Sequence, residues 1–521
     1  MRTAALMIAI GVGGALALAG WKSRVPSFDM IPHYADAAAL ASDGAVPAGG
    51  CLSSFGARIP PGTTWLIAPG FAAGLESRLV EYPGAFFLFV VTILGVYFLA
   101  RESFGPAAAV WAALVYAASD RGIFFASSLW PRGHPAFAVW FACFLAQWVK
   151  TGRGVWLGAA LATLFAGLYV FLELLPLALA LPFVWLRWRP RLSLPAIALA
   201  AAVGAAVWWP YLAQQSRVGF QDLRALLSRR ALPTPDVAPL LADPNQQIKG
   251  EAGNVLWPAA SGEAKPPVPP SRPALLWIGL SENFGPASWW RTGLWLVALG
   301  AGLFASGRTS AGGVAARCLF VPWLLLLLMP EHDLNLAGRR YWWLMPLQSV
   351  MASGSIALAG PRLGVAIGAV LLAATASRGL PAQRAVDAFQ SGFAGADAPA
   401  WRAMQHVANR AHARGLAAPK IGYRIPIWGH VFLFAPLDPR YKLGWEWDFV
   451  LARDFGVRNR SRAPEGIEND CDFVIEDSSA TARFKFAPAA HPSGEFVAGP
   501  IRVREYGPPA KRGATPLAPD P

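Results

Sequence analysis

Charge is scarce in this chain. Asp, Glu, Lys and Arg make up 15% of its 521 residues, where soluble domains carry about a quarter. That shortfall excludes an ordinary water-soluble globule. Cysteine is also sparse: four residues give no disulfide framework. Cys143 and Cys318 fall inside apolar runs and read as small core hydrophobes. Cys51 and Cys471 both fall on the outer side of the topology that Lys and Arg set, and sequence leaves a bond between them open, because it carries no distance. Several signatures are missing altogether. There is no P-loop, no glycine pattern for a dinucleotide after a strand, no GxSxG and no HExxH. Their absence argues against ATP-driven transport and against the common hydrolases.

What fills the chain instead is apolar sequence. Hydrophobic residues reach 55% and the mean hydropathy is +0.38. A membrane span needs roughly 20 mostly apolar residues. About eleven such stretches are placed, near 3–20, 83–100, 105–119, 134–150, 154–171, 172–186, 193–212, 289–306, 318–330, 341–360 and 362–378. The fifth and sixth form one apolar run, and Glu173 with Pro176 marks the turn between them. The first stretch has a fair small-residue cleavage site in "LALAGWKS", but its length favours a retained span over a signal peptide.

Lys and Arg in short loops set the orientation. With Arg2 in the cytoplasm, the inside loops hold Arg101; Lys150 and Arg153; Arg187, Arg189 and Arg191; Arg308 and Arg317; and Arg362. The outside then holds an acidic first loop, the Asp120 loop, a long Pro-rich loop, "EHDLNLAGRR" and the C-terminal tail. Arg339 and Arg340 break the rule, which marks them as functional candidates. The net charge of +14 is largely this bias, so membrane lipids and not nucleic acid are the partners it predicts.

Three pieces emerge: a membrane domain over 1–379, containing the long external loop 213–288; a small α/β domain over 380–507, on the outer face; and a disordered tail over 508–521. In the long loop, "FQDLRALLSRR" spaces its apolar residues as an amphipathic surface helix does. In the α/β domain, "APAWRAMQHVANRAHARG" reads as a helix ending at Gly415 and "EWDFVLARDFG" as another. "KIGYRI", "DFVIED" and "IRVREY" read as strands.

Acids beside a membrane are costly unless they are solvated or paired, so they are functional candidates. Asp29, Asp36 and Asp43 lie in the first external loop. Asp43, in "SDG", also reads as a turn signal, and Asp36 also reads as a solvated helix face. The next loop, "DRGIFFASSLWPRGHP", gathers Asp120, Arg121, Arg132 and His134. A carboxylate beside a guanidinium can hold a hydroxyl and a phosphate together; the same residues also suit an interfacial anchor with an aromatic belt. In "PEHDLNLAGRRYWWLMP", Glu331, His332 and Asp333 are ligand types without a second cluster, so a divalent metal has no support and no cofactor is expected. Arg339 and Arg340 suit an anionic leaving group or a lipid phosphate, or act as snorkelling anchors.

These motifs resemble the GT-C class of integral-membrane glycosyltransferases, nearest to the protein O-mannosyltransferases and the lipid A aminoarabinose transferases. In that class an acid soon after the first span precedes a Tyr-containing helix and a proline-rich return to the membrane. Asp29, Tyr34 and "RIPPGTTWL" stand in that order here. Asp120 with Arg132, and Arg340, Tyr341 and Pro346 in "RRYWWLMP", match the later external motifs. Asp29 is followed by Met30 where the class often has a second acid, and Tyr34 is one residue further on than expected, so Asp36 stays open as the base.

The resemblance implies a polytopic α-helical membrane protein of a bacterial-type inner membrane, with its N-terminus cytoplasmic and its C-terminal domain extracytoplasmic. It implies sugar transfer, on the outer face, from a polyprenyl-phosphate-linked donor to an acceptor that is protein, lipid or polysaccharide. Asp29 is then the base, with Asp36 and Asp120 as further catalytic candidates. Arg58, Arg132, His134, Arg339, Arg340, Tyr341 and Tyr34 bind substrate or phosphate. Chemistry agrees: displacement at an anomeric carbon needs a base for the acceptor proton, and a departing phosphate needs cationic stabilisation. One displacement inverts the sugar. The competing classes are a lipid or solute transporter or flippase, which would keep its ionisable groups near the midplane, and a non-catalytic membrane assembly protein.

Overall fold

A computed structural model describes residues 2–18, 30–51, 58–129, 134–228, 289–328, 342–390, 397–424, 445–460, 471–477, 492–499 and 501–506. The membrane region comprises α1 (Arg2–Leu18), α2 (Ile31–Asp43), α3 (Gly62–Ala72), α4 (Tyr82–Phe104), α5 (Pro106–Ala117), α6 (Asp120–Phe125), α7 (Pro135–Thr151), α8 (Gly154–Val170), α9 (Leu175–Ala178), α10 (Ala180–Trp188), α11 (Leu194–Arg217), α12 (Gln221–Ser228), α13 (Trp289–Ser306), α14 (Ser310–Leu328) and α15 (Met345–Gln390). The tail then folds as α16 (Asp397–Ala413), β1 (Ile421–Arg424), α17 (Trp445–Asp454), β2 (Phe473–Asp477), β3 (Gly494–Ala498) and β4 (Ile501–Glu505).

Helices lie on the apolar stretches identified in the sequence, because long apolar segments satisfy their backbone polar groups only within themselves. Among the described residues, three helices are long and apolar enough to cross a membrane: Tyr82–Phe104, Leu194–Arg217 and Trp342–Ser377. The protein is a membrane-embedded helical bundle carrying a small sheet. The sixth stretch is broken. After α8 the chain runs extended through Phe171, makes a 3-10 turn at Leu172–Leu174, and continues as the short α9 and α10. Glu173 sits in that turn. Likewise α15 is two helices joined at Gly360, whose φ of 75° is left-handed.

The bundle packs around one large core. Trp148, Trp295 and Trp343 are buried in it with Phe89, Tyr116 and Phe141. Small residues set the closest approach. A Cβ on Gly354 of α15 would meet the Gly302 Cα of α13 at 2.7 Å, so these helices touch backbone to backbone.

The tail has its own core. Its sheet runs β1-β2-β4-β3, with β1 and β2 parallel and the other pairs antiparallel. On β4, Ile501, Val503 and Glu505 point inward while Arg502 and Arg504 alternate outward. The buried Glu505 is held by Arg410 at 2.7 Å and His406 at 3.0 Å. Burial pushes its carboxyl up, but bonding to Arg410 and His406 outweighs this and leaves it below the ordinary carboxylate range. All four cysteines are free thiols, so Cys51 and Cys471 are not bonded to each other. Residues 229–288 of the long external loop, and the segment 508–521, lie outside the described residues.

Candidate active site

The first loop, the Asp120 loop and Trp342, far apart in sequence, meet at one end of the bundle. The first loop supplies α2 and α3, which pair along their length; His33 Nδ1 lies 2.9 Å from the Thr64 hydroxyl. Gly62 opens α3 against the backbone at the end of α8: a Cβ there would meet the Cα of Val170 at 2.7 Å. Met30, Tyr34 and Ala37 of this loop are buried in one apolar cluster with Ile67 and Phe71 of α3, Phe124 and Phe125 of α6, Leu129 and Trp342. The first loop, the Asp120 loop and the segment leading into α15 thus share a single core.

Glu81, the residue before α4, ties two of these segments together. One oxygen accepts from the Tyr34 hydroxyl at 2.6 Å. The other accepts from the Leu129 amide at 2.6 Å and the Ser128 hydroxyl at 3.1 Å. The sequence pattern did not single out Glu81. Its partners lie 47 and 48 residues away, and periodicity carries no long-range pairing; its only local signal is an acid directly before a span.

The second segment is ordered by caps. Ser119 accepts from the Gly122 amide at 2.9 Å and starts α6. Asp120 and Arg121 are both buried, at 4% and 5% exposure. Asp120 accepts from the Arg121 amide at 2.8 Å, and the Arg121 Nε lies 3.9 Å from the same carboxylate. The Arg121 guanidinium stacks 3.7 Å from the centre of the Trp342 ring, a cation–π contact that holds a buried charge.

His134 has a structural job. Its Nδ1 caps α7 by accepting from the Ala136 amide at 3.3 Å, and its buried ring packs edge-on to Phe125 at 5.1 Å. Arg58 belongs to a different set of partners. Its amide donates to Asp222 of α12, its carbonyl accepts from Tyr211, and its Nη1 donates to the Gly50 carbonyl. Asp36 is half-buried on α2, and Asp43 is exposed at the end of that helix, before Gly44 with φ of 68°.

Asp29, Arg132, Arg339, Arg340 and Tyr341 lie outside the described residues. Their neighbours do not. Met30 adjoins Asp29, and Trp342 adjoins Tyr341, and both are in the shared cluster. Leu129 and His134 bracket Arg132 and are buried beside Phe125.

Comparison with known proteins gives a likeness in structure and none in sequence. No family model and no curated protein matches this chain. ArnT from Cupriavidus metallidurans, solved with undecaprenyl phosphate bound, superposes with a TM-score of 0.56 at 12% identity, over 97% of this chain and 98% of that one. The apo form of ArnT gives 0.51 at 12% identity, over 96% and 98%. The chain has the fold of ArnT.

In this ArnT-like fold the tail packs on the first loop. Ile31 of α2 is part of the tail's core. Phe449 of α17 meets Tyr34 at 5.9 Å and Phe71 at 6.3 Å, both edge-on. Arg78 stacks 4.0 Å from the Trp401 ring and Arg453 4.3 Å from the Phe71 ring. The Asp454 carboxylate accepts from the Ser77 amide and hydroxyl at 3.3 Å. Burial pushes the Asp454 carboxyl up to about 6, against the lowering effect of the Ser77 bonds and Arg453. The first loop and the tail therefore lie on the same side. Among the described residues no three His, Cys, Asp or Glu side chains gather as metal ligands.

Proposed function

We propose that this protein is a membrane glycosyltransferase that takes its sugar from a polyprenyl-phosphate-linked donor. One observation carries the reading: the first loop, the Asp120 loop and Trp342, just ahead of α15, converge on a single cluster at one end of a fold shared with ArnT, a protein solved with undecaprenyl phosphate. A transporter needs a pathway through the bundle; here Glu81, Asp120 and Arg121 sit at its end, packed with the first loop.

The chemistry follows from the residues. The acceptor oxygen attacks the anomeric carbon, the bond from that carbon to the phosphate oxygen breaks, and polyprenyl phosphate leaves. Asp29 takes the acceptor proton as general base, and Asp36 and Asp120 are the alternatives. Because the leaving group is a phosphate, it needs cations and no acid. Arg132, Arg339 and Arg340 supply them, with Arg121 held ready by Asp120 and Trp342. The oxocarbenium-like transition state and a single displacement give inversion. Tyr34 and Tyr341 line the donor site. Arg58 and His134 support it from behind, through α12 and the cap of α7.

Under this reading residues 1–379 form the membrane domain and 380–507 an extracytoplasmic domain, with about eleven spans and a cytoplasmic N-terminus in a bacterial-type inner membrane. Donor turnover tests it. The purified protein in detergent, given a panel of radiolabelled polyprenyl-phosphate sugars, should release free polyprenyl phosphate when a competent acceptor extract is supplied. Movement of the intact donor across a vesicle membrane, without cleavage of its sugar, would replace the enzyme by a flippase.

A further inference from the structure

The opposite end of the bundle carries its own concentration of charge. α4 connects the two ends: its first residue, Tyr82, follows Glu81 of the candidate active site, while the carbonyl of Ser103, its penultimate residue, accepts a hydrogen bond from Thr309 just before α14. At 1.5 Å per residue the ends of α4 are about 33 Å apart. At this far end α10 finishes in Arg187 and Trp188, and Arg189 and Arg191 follow.

α14 brings Arg317 to the same place. Its guanidinium lies 4.7 Å from the centre of the Trp188 ring, and that of Arg187 lies 5.8 Å from it. Gly313, one turn before Arg317, makes room: a Cβ there would meet the Trp188 ring at 2.8 Å, so the indole rests on bare backbone. Arg317 Nη1 donates to the Gly313 carbonyl at 2.9 Å, which fixes the guanidinium beside the ring. Arg189 adopts a left-handed φ of 50° and stacks 5.2 Å from the Trp185 ring. That backbone conformation is costly for a residue with a Cβ.

The ordinary reading is that these are anchors on the positive side of the membrane, with Arg187 matching the C-terminal dipole of α10. It accounts for the arginines of α10. It puts Arg317 on the same side, but does not explain why Arg317, from a second helix, converges on the same indole as Arg187. Among the described residues no salt bridge joins Arg187, Arg189, Arg191 or Arg317 to a carboxylate, and the nearby Glu102 is held by Lys150 at 2.6 Å. Two guanidiniums at one ring repel each other, and a shared anion would relieve that repulsion. A phosphate fits, because each guanidinium offers it a two-pronged donor. On the same helix Phe183 and Leu186 are 52% and 54% exposed, an apolar surface suited to acyl chains.

We propose that Arg187, Trp188 and Arg317 bind the phosphate of an anionic phospholipid in the leaflet opposite the candidate active site. The site is independent of the glycosyl-transfer reading. Native mass spectrometry tests it on the delipidated full chain in detergent, titrated separately with phosphatidylglycerol, phosphatidylcholine and inorganic phosphate. Phosphatidylglycerol should be retained in preference to the other two. Arg187→Gln and Arg317→Gln should each weaken its binding about fivefold, the effect of one cation near a lipid surface. Arg187 is exposed, so its variant keeps the fold, and Arg317→Lys should bind with an intermediate loss. Equal retention of phosphatidylglycerol by the wild type and the folded Arg187→Gln variant would overturn the site. Equal retention of phosphatidylcholine would overturn the requirement for an anion, and equally tight inorganic phosphate would overturn the lipid as its source.

Discussion

Glu81 holds three donors with one carboxylate, and they come from the first loop and from the segment that leads to Arg132. Glu81→Gln retains the size of the side chain but replaces an accepting oxygen with a donor, which leaves the Leu129 amide or the Tyr34 hydroxyl without its acceptor. The expected cost is about 1–3 kcal/mol, read as a lower melting temperature in detergent. Sugar transfer should fall with it, because α2 and the 128–129 turn lose their common anchor. A variant that melts with the wild type would show that the hub does not hold these segments. Asp454 gives a pH signature. Its carboxyl is raised from 3.8 to about 6 in the folded protein, so the folded state binds its proton more tightly than the unfolded chain does. The stabilisation is complete below about pH 4 and is lost as pH rises through 6, an effect of about 3 kcal/mol. Asp454→Asn should remove this part of the pH dependence. Melting curves of the two proteins between pH 4 and 7 measure it, and parallel curves would count against a buried, proton-binding Asp454.

At the level of elements, legibility tracked how local the signal was. Apolar stretches became helices because nothing beyond the segment is needed to specify them. The turn at Glu173 and Pro176 was readable from those two residues, and the end of α16 from Gly415, which has φ of 69°. Strands β1, β2 and β4 were visible as apolar or alternating runs. β3 was not: "GEFVA" begins with glycine, and only Ala498 of it is buried, so no buried face shows in its sequence. Site residues split the same way. The polar loops were legible from their charges, but the Arg121–Trp342 stack and the Glu81 hub join residues that only tertiary packing brings together. The use of His134 as a cap, and the docking of Arg58 on Asp222, were hidden for the same reason. Packing at the α13–α15 crossing supplies a test at this scale. Gly302→Val places a branched side chain where a bare Cβ already meets the Met351 carbonyl. Overpacking costs about 1–3 kcal/mol and more against rigid backbone. The yield of folded, monodisperse protein should drop, and an unchanged yield would mean that these helices part easily.

For the whole molecule, the arrangement of tail and first loop bears most directly on function. α2 lies between the membrane bundle and the tail, contributing Ile31 to one core and, with Met30 just before it, Tyr34 to the other. The aromatic group of Tyr34, Phe71 and Phe449 fastens the two together. The first loop from Met30 onward lies beside the tail, and a reaction whose base sits in that loop makes the tail a wall of the acceptor site. The central claim is that a carboxylate of the first loop activates an acceptor against a lipid-phosphate sugar. It is tested by measuring sugar transfer from polyprenyl-phosphate donors by the wild type beside Asp29→Asn, with Asp36→Asn and Asp120→Asn in the same series. Loss of the general base should slow transfer by about 10²–10⁴-fold in Asp29→Asn, with the variant still folded and still binding the donor. Undiminished transfer by folded Asp29→Asn and Asp36→Asn, whether or not Asp120→Asn loses it, would contradict the account.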